Sequence, residues 1–185
     1  MSLENEVESK QYENTTIESW EELKADVEIL RGIYAYGFCT PSPIQKKAIL
    51  PLFDKKDVIA QAQSGTGKTG CFAIGVLQRI DITLNKTQAI IMAPTRELAG
   101  QIKNVIDSIG KLYKKLNIQL LIGGTSTEDS INSLMNKPPH IVVGCPGRIH
   151  DMLRRNKLKT NDLIMIVLDE ADEMLSQGFK EQVYN

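Results

Sequence analysis

Eight consecutive residues, Ala62-Gln63-Ser64-Gly65-Thr66-Gly67-Lys68-Thr69, have the types and spacing to hold a phosphate. Gly65 and Gly67 allow the backbone to curl so that its N–H groups converge on an anion, and a following helix N-terminus adds partial positive charge. Lys68 can then reach the β- and γ-phosphates of a nucleotide, and the Thr69 hydroxyl can face Mg²⁺. Ala62 departs from the strict GxxxxGK[ST] pattern, which has glycine at that position. The context supports the reading. The short apolar run Asp57-Val58-Ile59-Ala60 predicts a strand before the loop, and Cys71–Leu77 predicts a buried helix after it. A glycine-rich turn with a surface lysine is the plainer alternative, and Lys-Thr directly after paired glycines weighs against it.

A second cluster completes a nucleotide-hydrolysis site. The run Leu163–Leu168 predicts a strand ending in Asp169-Glu170-Ala171-Asp172. Asp169 is suited to hold Mg²⁺ through water, and Glu170 to orient or deprotonate an attacking water. Asp172 and Glu173 fit the start of a following helix, where acidic groups are favoured. That role explains Asp169 poorly, because a carboxylate so close to Ile166-Val167-Leu168 is costly to desolvate unless paired or metal-bound.

These residues need a scaffold, and the chain alternates strand and helix patterns throughout. Leu23–Tyr34 has helical spacing and ends at Gly37; Ser42-Pro43 caps a helix through about Leu50, closed by Pro51. Ala89–Ala93, Ile118–Ile122 and Ile141–Val143 predict buried strands. Leu98, Ile102, Val105, Ile106, Ile109 and Leu112 trace one helix face, a short helix lies around Ser130–Met135, and another follows Cys145. The pattern predicts an α/β fold with an open parallel sheet covered by helices on both faces. The unusual residues all follow strand ends, and that edge is where such sheets bind ligands.

Composition narrows the class. Nothing approaches a membrane span, and Met1–Glu6 lacks the basic and apolar regions of a signal peptide. Three cysteines without CxxC spacing suggest reduced thiols in an intracellular compartment, cytoplasmic or nuclear. The net charge of -1 hides an asymmetry: residues 1–28 carry -7 and the remaining 157 carry +6. The body is therefore compatible with a phosphate-backbone partner. Residues 1–18 read as an acidic, disordered tail, with order beginning near Trp20 in a domain spanning 19–185.

With these pieces in place, the sequence resembles the first RecA-like (phosphate-loop NTPase) domain of a DEAD-box RNA helicase. Asp169-Glu170-Ala171-Asp172 matches the family's name motif, and Ala62–Thr69 its phosphate loop, alanine included. Pro94-Thr95-Arg96-Glu97-Leu98-Ala99, Gly123-Gly124 and Pro146-Gly147-Arg148 match its RNA-contacting motifs in order. Gly37–Gln45 resembles its adenine-recognition motif, and Arg31–Phe38 looks most like the initiation factor 4A branch, which includes the exon-junction helicase. The resemblance implies ATP and Mg²⁺ as cofactors, with Gln45 on the adenine edge and Phe38 against the base. It implies that Pro94, Thr95, Arg96, Gly123, Gly124, Pro146, Gly147 and Arg148 grip RNA through its backbone, independently of sequence.

It also implies missing parts. Cys145 stands where the family has threonine, and the Ser-Ala-Thr strand and second RecA-like domain do not follow the acidic cluster. The second domain carries arginines that stabilise the transferring phosphoryl group. The chain is therefore expected to be a truncated ATP-binding half, nearly inactive alone, with an open sheet edge. Its parent would couple ATP hydrolysis to RNA unwinding or clamping in translation initiation or mRNA processing. The alternative is an ATP-gated scaffold for RNA and regulatory proteins without significant unwinding. A phosphate-loop GTPase is disfavoured, since no Asn-Lys-x-Asp guanine-reading motif occurs.

Overall fold

A computed structural model describes residues 16–176 and 178–184. The chain forms two units, one of residues through Arg79 with Ser108–Leu112, the other of Ile80–Asp107 with the residues from Tyr113 onward.

In the first unit, α1 (Val27–Tyr36) ends as predicted at Gly37, whose φ of 98° lets the chain reverse. The Gly37 and Phe38 N–H groups return to the Tyr34 and Ile33 carbonyls at 3.0 and 3.2 Å. Helix α2 (Pro43–Phe53) starts at Ser42 with proline in its first turn. It continues past Pro51, contrary to the predicted stop. A proline in the last turn forfeits its own N–H but leaves its carbonyl free. Lys56 N–H accordingly donates to Pro51 O at 3.0 Å, and Asp54 N–H to Leu50 O at 2.9 Å. Helix α3 (Lys68–Arg79) packs along α2 and buries Cys71, Ala73, Ile74, Val76 and Leu77, matching the predicted buried helix.

Two expectations in this unit fail. Residues 57–60 form no strand, and Ile59 is fully exposed at 103%. An apolar run becomes a strand only when a neighbour supplies the ladder, and no described residue pairs with it. Order also begins before Trp20. Ile17 is 1% exposed, its N–H donates to Lys46 O at 3.1 Å, and Glu18 pairs with Lys46. Residues 1–15 of the predicted tail lie outside the described residues.

The second unit holds a four-stranded parallel sheet: β1 (Ala89–Met92), β2 (Ile118–Leu121), β3 (Ile141–Gly144) and β4 (Met165–Leu168). Their order is β2-β3-β1-β4, with Ala89 opposite both Ile141 and Met165, and Ile118 opposite Ile141. Both central strands are wholly buried, as near-continuous apolar runs in a parallel sheet should be. Helix α4 (Arg96–Ile109) buries Ala99, Ile102, Ile106 and Ile109, whereas Leu112, placed on the same face by sequence, is exposed. Helix α5 (Thr127–Asn136) begins three residues earlier than predicted because Ser126 Oγ caps it, accepting from Asp129 N–H at 3.2 Å.

Helix α6 (Pro146–Arg154) completes the core with Ile149 and Met152 against Ile90, Val142, Leu121 and Leu134. Each such fully buried aliphatic side chain contributes about 1.5–3 kcal/mol. Two short helices, α7 (Ala171–Ser176) and α8 (Lys180–Tyr184), follow β4, and Phe179 between them packs on the same cluster. Strand β4 has no second neighbour among the described residues, and Ile166 and Leu168 are 56% and 41% exposed. Pro94–Glu97, Gly123-Gly124, Cys145–Arg148 and Asp169-Glu170 thus follow the carboxyl ends of four strands in one parallel sheet.

Candidate nucleotide loop and nucleic-acid interface

The loop Ala62–Thr69 closes on itself. Gly65 and Gly67 take φ of 80° and 98°, and the loop runs into α3 at Lys68. Lys68 Nζ donates to Ala62 O at 2.8 Å, and Thr66 Oγ1 donates to Gln63 O at 2.7 Å. The amine is thus tied to the carbonyl of the loop's first residue.

Gln45 and Phe38 belong to this assembly. Gln45 is 2% exposed; its Oε1 accepts from Ser42 N–H at 2.8 Å and its Nε2 donates to Gly67 O at 3.1 Å. The predicted base-reading side chain is therefore fastened to the phosphate loop itself. Phe38 lies against the first turn of α3, where a Cβ on Gly70 would come within 2.6 Å of its ring. It stacks on buried Trp20 at 6.4 Å and meets Tyr36 edge-on at 4.8 Å. Tyr34, placed by sequence on an apolar helix face, hydrogen-bonds Glu21 through its hydroxyl.

In the other unit, Asp169 is 7% exposed at the end of β4, and its N–H donates to Met92 O at 3.0 Å. Glu170 has φ of 49°, a left-handed conformation uncommon for a residue with a side chain. Asp172 and Glu173 occupy the first turn of α7, the role expected of them. The chemistry of Asp169 fits Mg²⁺: a near-buried carboxylate at a strand end is a hard oxygen ligand. No group of three or more histidine, cysteine or acidic ligands occurs among the described residues.

Three of the predicted RNA motifs share one cavity of about 620 Å³ at the sheet's carboxyl edge. Pro94, Thr95, Arg96 and Glu97 form one wall, and Gly123, Gly147 and Arg148 reach it from the other loops. Cys145 and Phe179 also line it; Phe179 was not anticipated, and a lone Gly-Phe pair carries no periodic signal that would reveal it. Arg96 lies across Gly123-Gly124. The φ of 81° at Gly124 favours glycine, and a Cβ there would come within 2.3 Å of Arg96 Nη1 and displace the guanidinium. Thr95 Oγ1 caps α4, accepting from Leu98 N–H at 3.1 Å. Burial pushes the Cys145 thiol up, with Arg96 opposing and Glu97 reinforcing the shift, so the sulfur is held neutral.

The DEAD/DEAH box helicase family model matches residues 42–185. The chain belongs to this family. It is 53% identical over 182 residues to the ATP-dependent RNA helicase eIF4A of Neurospora crassa, and equally to that of Pyricularia oryzae. Those matches cover 98% of this chain and 45% of each relative, so the chain spans a little under half their length. Among solved structures, a DEAD box protein from the hyperthermophile Methanococcus jannaschii matches with a TM-score of 0.86 and 38% identity, over 91% of this chain and 46% of that one. A Saccharomyces cerevisiae Dbp5 variant bound to RNA and ADP BeF3 matches with a TM-score of 0.80 and 39% identity, over 90% of this chain and 42% of that one. The fold is thus the RecA-like α/β arrangement of DEAD-box proteins, with the eIF4A-like character predicted from Arg31–Phe38.

Proposed function

We propose that this chain is the ATP-binding half of an ATP-dependent RNA helicase that acts in translation initiation or mRNA processing. The observation that carries the reading is the shared cavity: three loops from three parallel strands bring Arg96, two glycines and two helix N-termini to one sheet edge. An electropositive rim with close backbone approach suits a sugar-phosphate backbone and reads no bases. Dbp5 seen with RNA is a similar protein, and other Dbp5 structures that match this chain include Gle1 and Nup159, which supports a role for protein partners.

In this reading Phe38 meets the adenine face and Gln45 its edge, while Lys68 and the Gly65–Thr69 N–H groups take the phosphates. Thr69 and Asp169 would hold Mg²⁺, whose chemistry when bound is to neutralise charge between the phosphates. Glu170 orients the attacking water and receives its proton. The arginines that complete catalysis come from a second RecA-like domain. Three cysteines that form no disulfide fit a reducing, intracellular setting.

In the intact helicase, Glu170→Gln is expected to lower RNA-stimulated ATP hydrolysis by about 10²–10⁴-fold while leaving ATP affinity within a few-fold. Unchanged turnover would remove Glu170 from the chemistry. Equal affinity for ATP and GTP would remove Gln45 from base recognition.

A further inference from the structure

The two edges of the parallel sheet carry opposite charge. The stretches that lead into its strands (80–88, 113–117, 137–140 and 151–164) hold eight cationic side chains and three acidic ones. The stretches that follow the strands (93–98, 122–130, 145–149 and 169–176) hold two and seven. Arg96 and Arg148 line the cavity, yet the loops along that edge are rich in carboxylates. Positive charge in this unit thus gathers at the amino ends of the strands, away from the cavity.

Part of that charge is already answered. Arg154 and Arg155 share Asp151 at 3.5 and 2.9 Å, and Lys86 meets Asp162 at 2.7 Å. Asp81 accepts from the Thr83 N–H and hydroxyl at 2.8 and 2.6 Å. Lys114, Lys115, Lys137, Lys157 and Lys159 form no ion pair among the described residues, and all but Lys157 are exposed. Their loops are stitched together. Asn117 Nδ2 donates to Lys137 O at 3.0 Å, Asn117 N–H donates to His140 Nδ1 at 3.0 Å, and Lys157 Nζ lies 3.8 Å from Met135 Sδ at the end of α5. Cations crowded without counter-charge repel one another, and a bound polyanion relieves that cost.

Residue type decides between polyanions. Protein interfaces are poor in lysine and rich in aromatic side chains and arginine. Here the unpaired cations are all lysine, and no exposed residue of these stretches is aromatic. Ammonium groups on flexible stems act as point charges for phosphate, and without a ring to stack a base they hold the backbone alone. We propose that Lys114, Lys115, Lys137, Lys157 and Lys159 form a second RNA site, which takes the sugar-phosphate backbone of RNA flanking the segment held at the cavity. This site rests on the RNA reading above and extends it: the cavity grips one short segment, and the lysines make affinity grow with RNA length.

The test uses the intact protein, as wild type and as K114Q/K115Q/K137Q/K157Q/K159Q. Each binds oligo(U) of about 8 and about 30 nucleotides, with a non-hydrolysable ATP analogue, across a potassium chloride series. Comparing the two proteins on one oligonucleotide removes the statistical advantage of the longer strand. On the long strand the variant should bind about 10- to 100-fold more weakly at about 0.1 M salt. Its slope of log K against log salt should be shallower by about 2–3.5, at about 0.7 per lost phosphate contact. On the short strand the two proteins should agree within about twofold in affinity and in ATP hydrolysis at saturating RNA. K114Q/K115Q and K157Q/K159Q should each show part of the loss, and they carry the test should the quintuple variant fail to fold.

The second site is overturned if the variants match wild type on the long strand, or if they lose as much on the short strand as on the long one. The first result, together with poly-glutamate binding by wild type and not by the quintuple variant, would give the lysines to an acidic protein instead. Wild type that binds neither strand would overturn the RNA reading itself, whereas binding of the short strand with no effect of the lysines on the long one would overturn the second site alone.

Discussion

At the scale of single residues, the most consequential departure from the family pattern is Cys145. Its thiol is half-buried in the cavity, and burial raises its pKa, so it offers RNA a neutral, weakly donating sulfur. Cys145→Thr restores a hydroxyl donor at the same wall. RNA affinity is expected to rise about two- to tenfold, the worth of one net hydrogen bond, with the thermal midpoint unchanged. Fluorescence anisotropy on a labelled single strand measures it, and a fall in affinity would show that the thiol already fits better than the hydroxyl. Residue identity was also where sequence spoke most clearly. Lys68, Thr69 and Asp169 stand in patterns whose residue types suit phosphate and metal chemistry, so they could be nominated without a fold, whereas Arg96 is nominated by the family resemblance. What could not be read was how they are held before any ligand arrives. Lys68 on its own loop carbonyl and Gln45 on Gly67 are contacts between segments, which spacing does not encode.

At the scale of elements, the apolar runs that became strands are those with neighbours. Residues 89–92 and 141–144 are central and buried, whereas 57–60, apolar after Asp57, has no ladder among the described residues. The early start of α5 was legible in principle, because Ser126-Thr127-Glu128-Asp129 is a capping pattern just ahead of the helical run. The amino edge of the sheet holds a different kind of control. His140, just before β3, is 1% exposed, and its Nδ1 accepts from Asn117 N–H at 3.0 Å just before β2. Its own carbonyl accepts from Gln88 N–H at 2.9 Å just before β1, so one residue joins the starts of three strands. Burial depresses the His140 pKa; a hydrogen bond to the Ile82 backbone opposes it, Lys137 adds to the depression and Asp81 opposes it more weakly.

Because the folded value lies below the ordinary 6.5, the unfolded chain binds more protons beneath that pH. The contribution is complete above about 6.5 and is lost as pH falls from there toward the folded pKa. Urea midpoints should therefore drop between pH 7.5 and 5.5, and His140→Gln should flatten that dependence. Parallel curves for the two proteins would place the acid sensitivity elsewhere.

At the scale of the whole molecule, the chain spans 45% of its eIF4A relatives, and the division of labour in the proposal follows from that. On the reading proposed above, in which a second domain supplies the charge-stabilising arginines, the 185-residue chain alone is expected to bind ATP weakly and to show negligible RNA-stimulated turnover. Removing such a group typically costs about 10³–10⁵ in rate. A coupled phosphate-release assay on this chain with and without RNA checks the point, and robust stimulation would refute the assignment. Sequence alternation made the parallel sheet and its ligand edge predictable, since helices and strands follow each other in one order. The open flank of β4 has a further meaning. Asp169 hangs from the outermost rung, so the rigidity of this carboxylate depends, among the described residues, on a ladder on one side. Any segment laid along Ile166 and Leu168 would act as a splint, and the stiffness of the Asp169 carboxylate would then report whether that berth is taken.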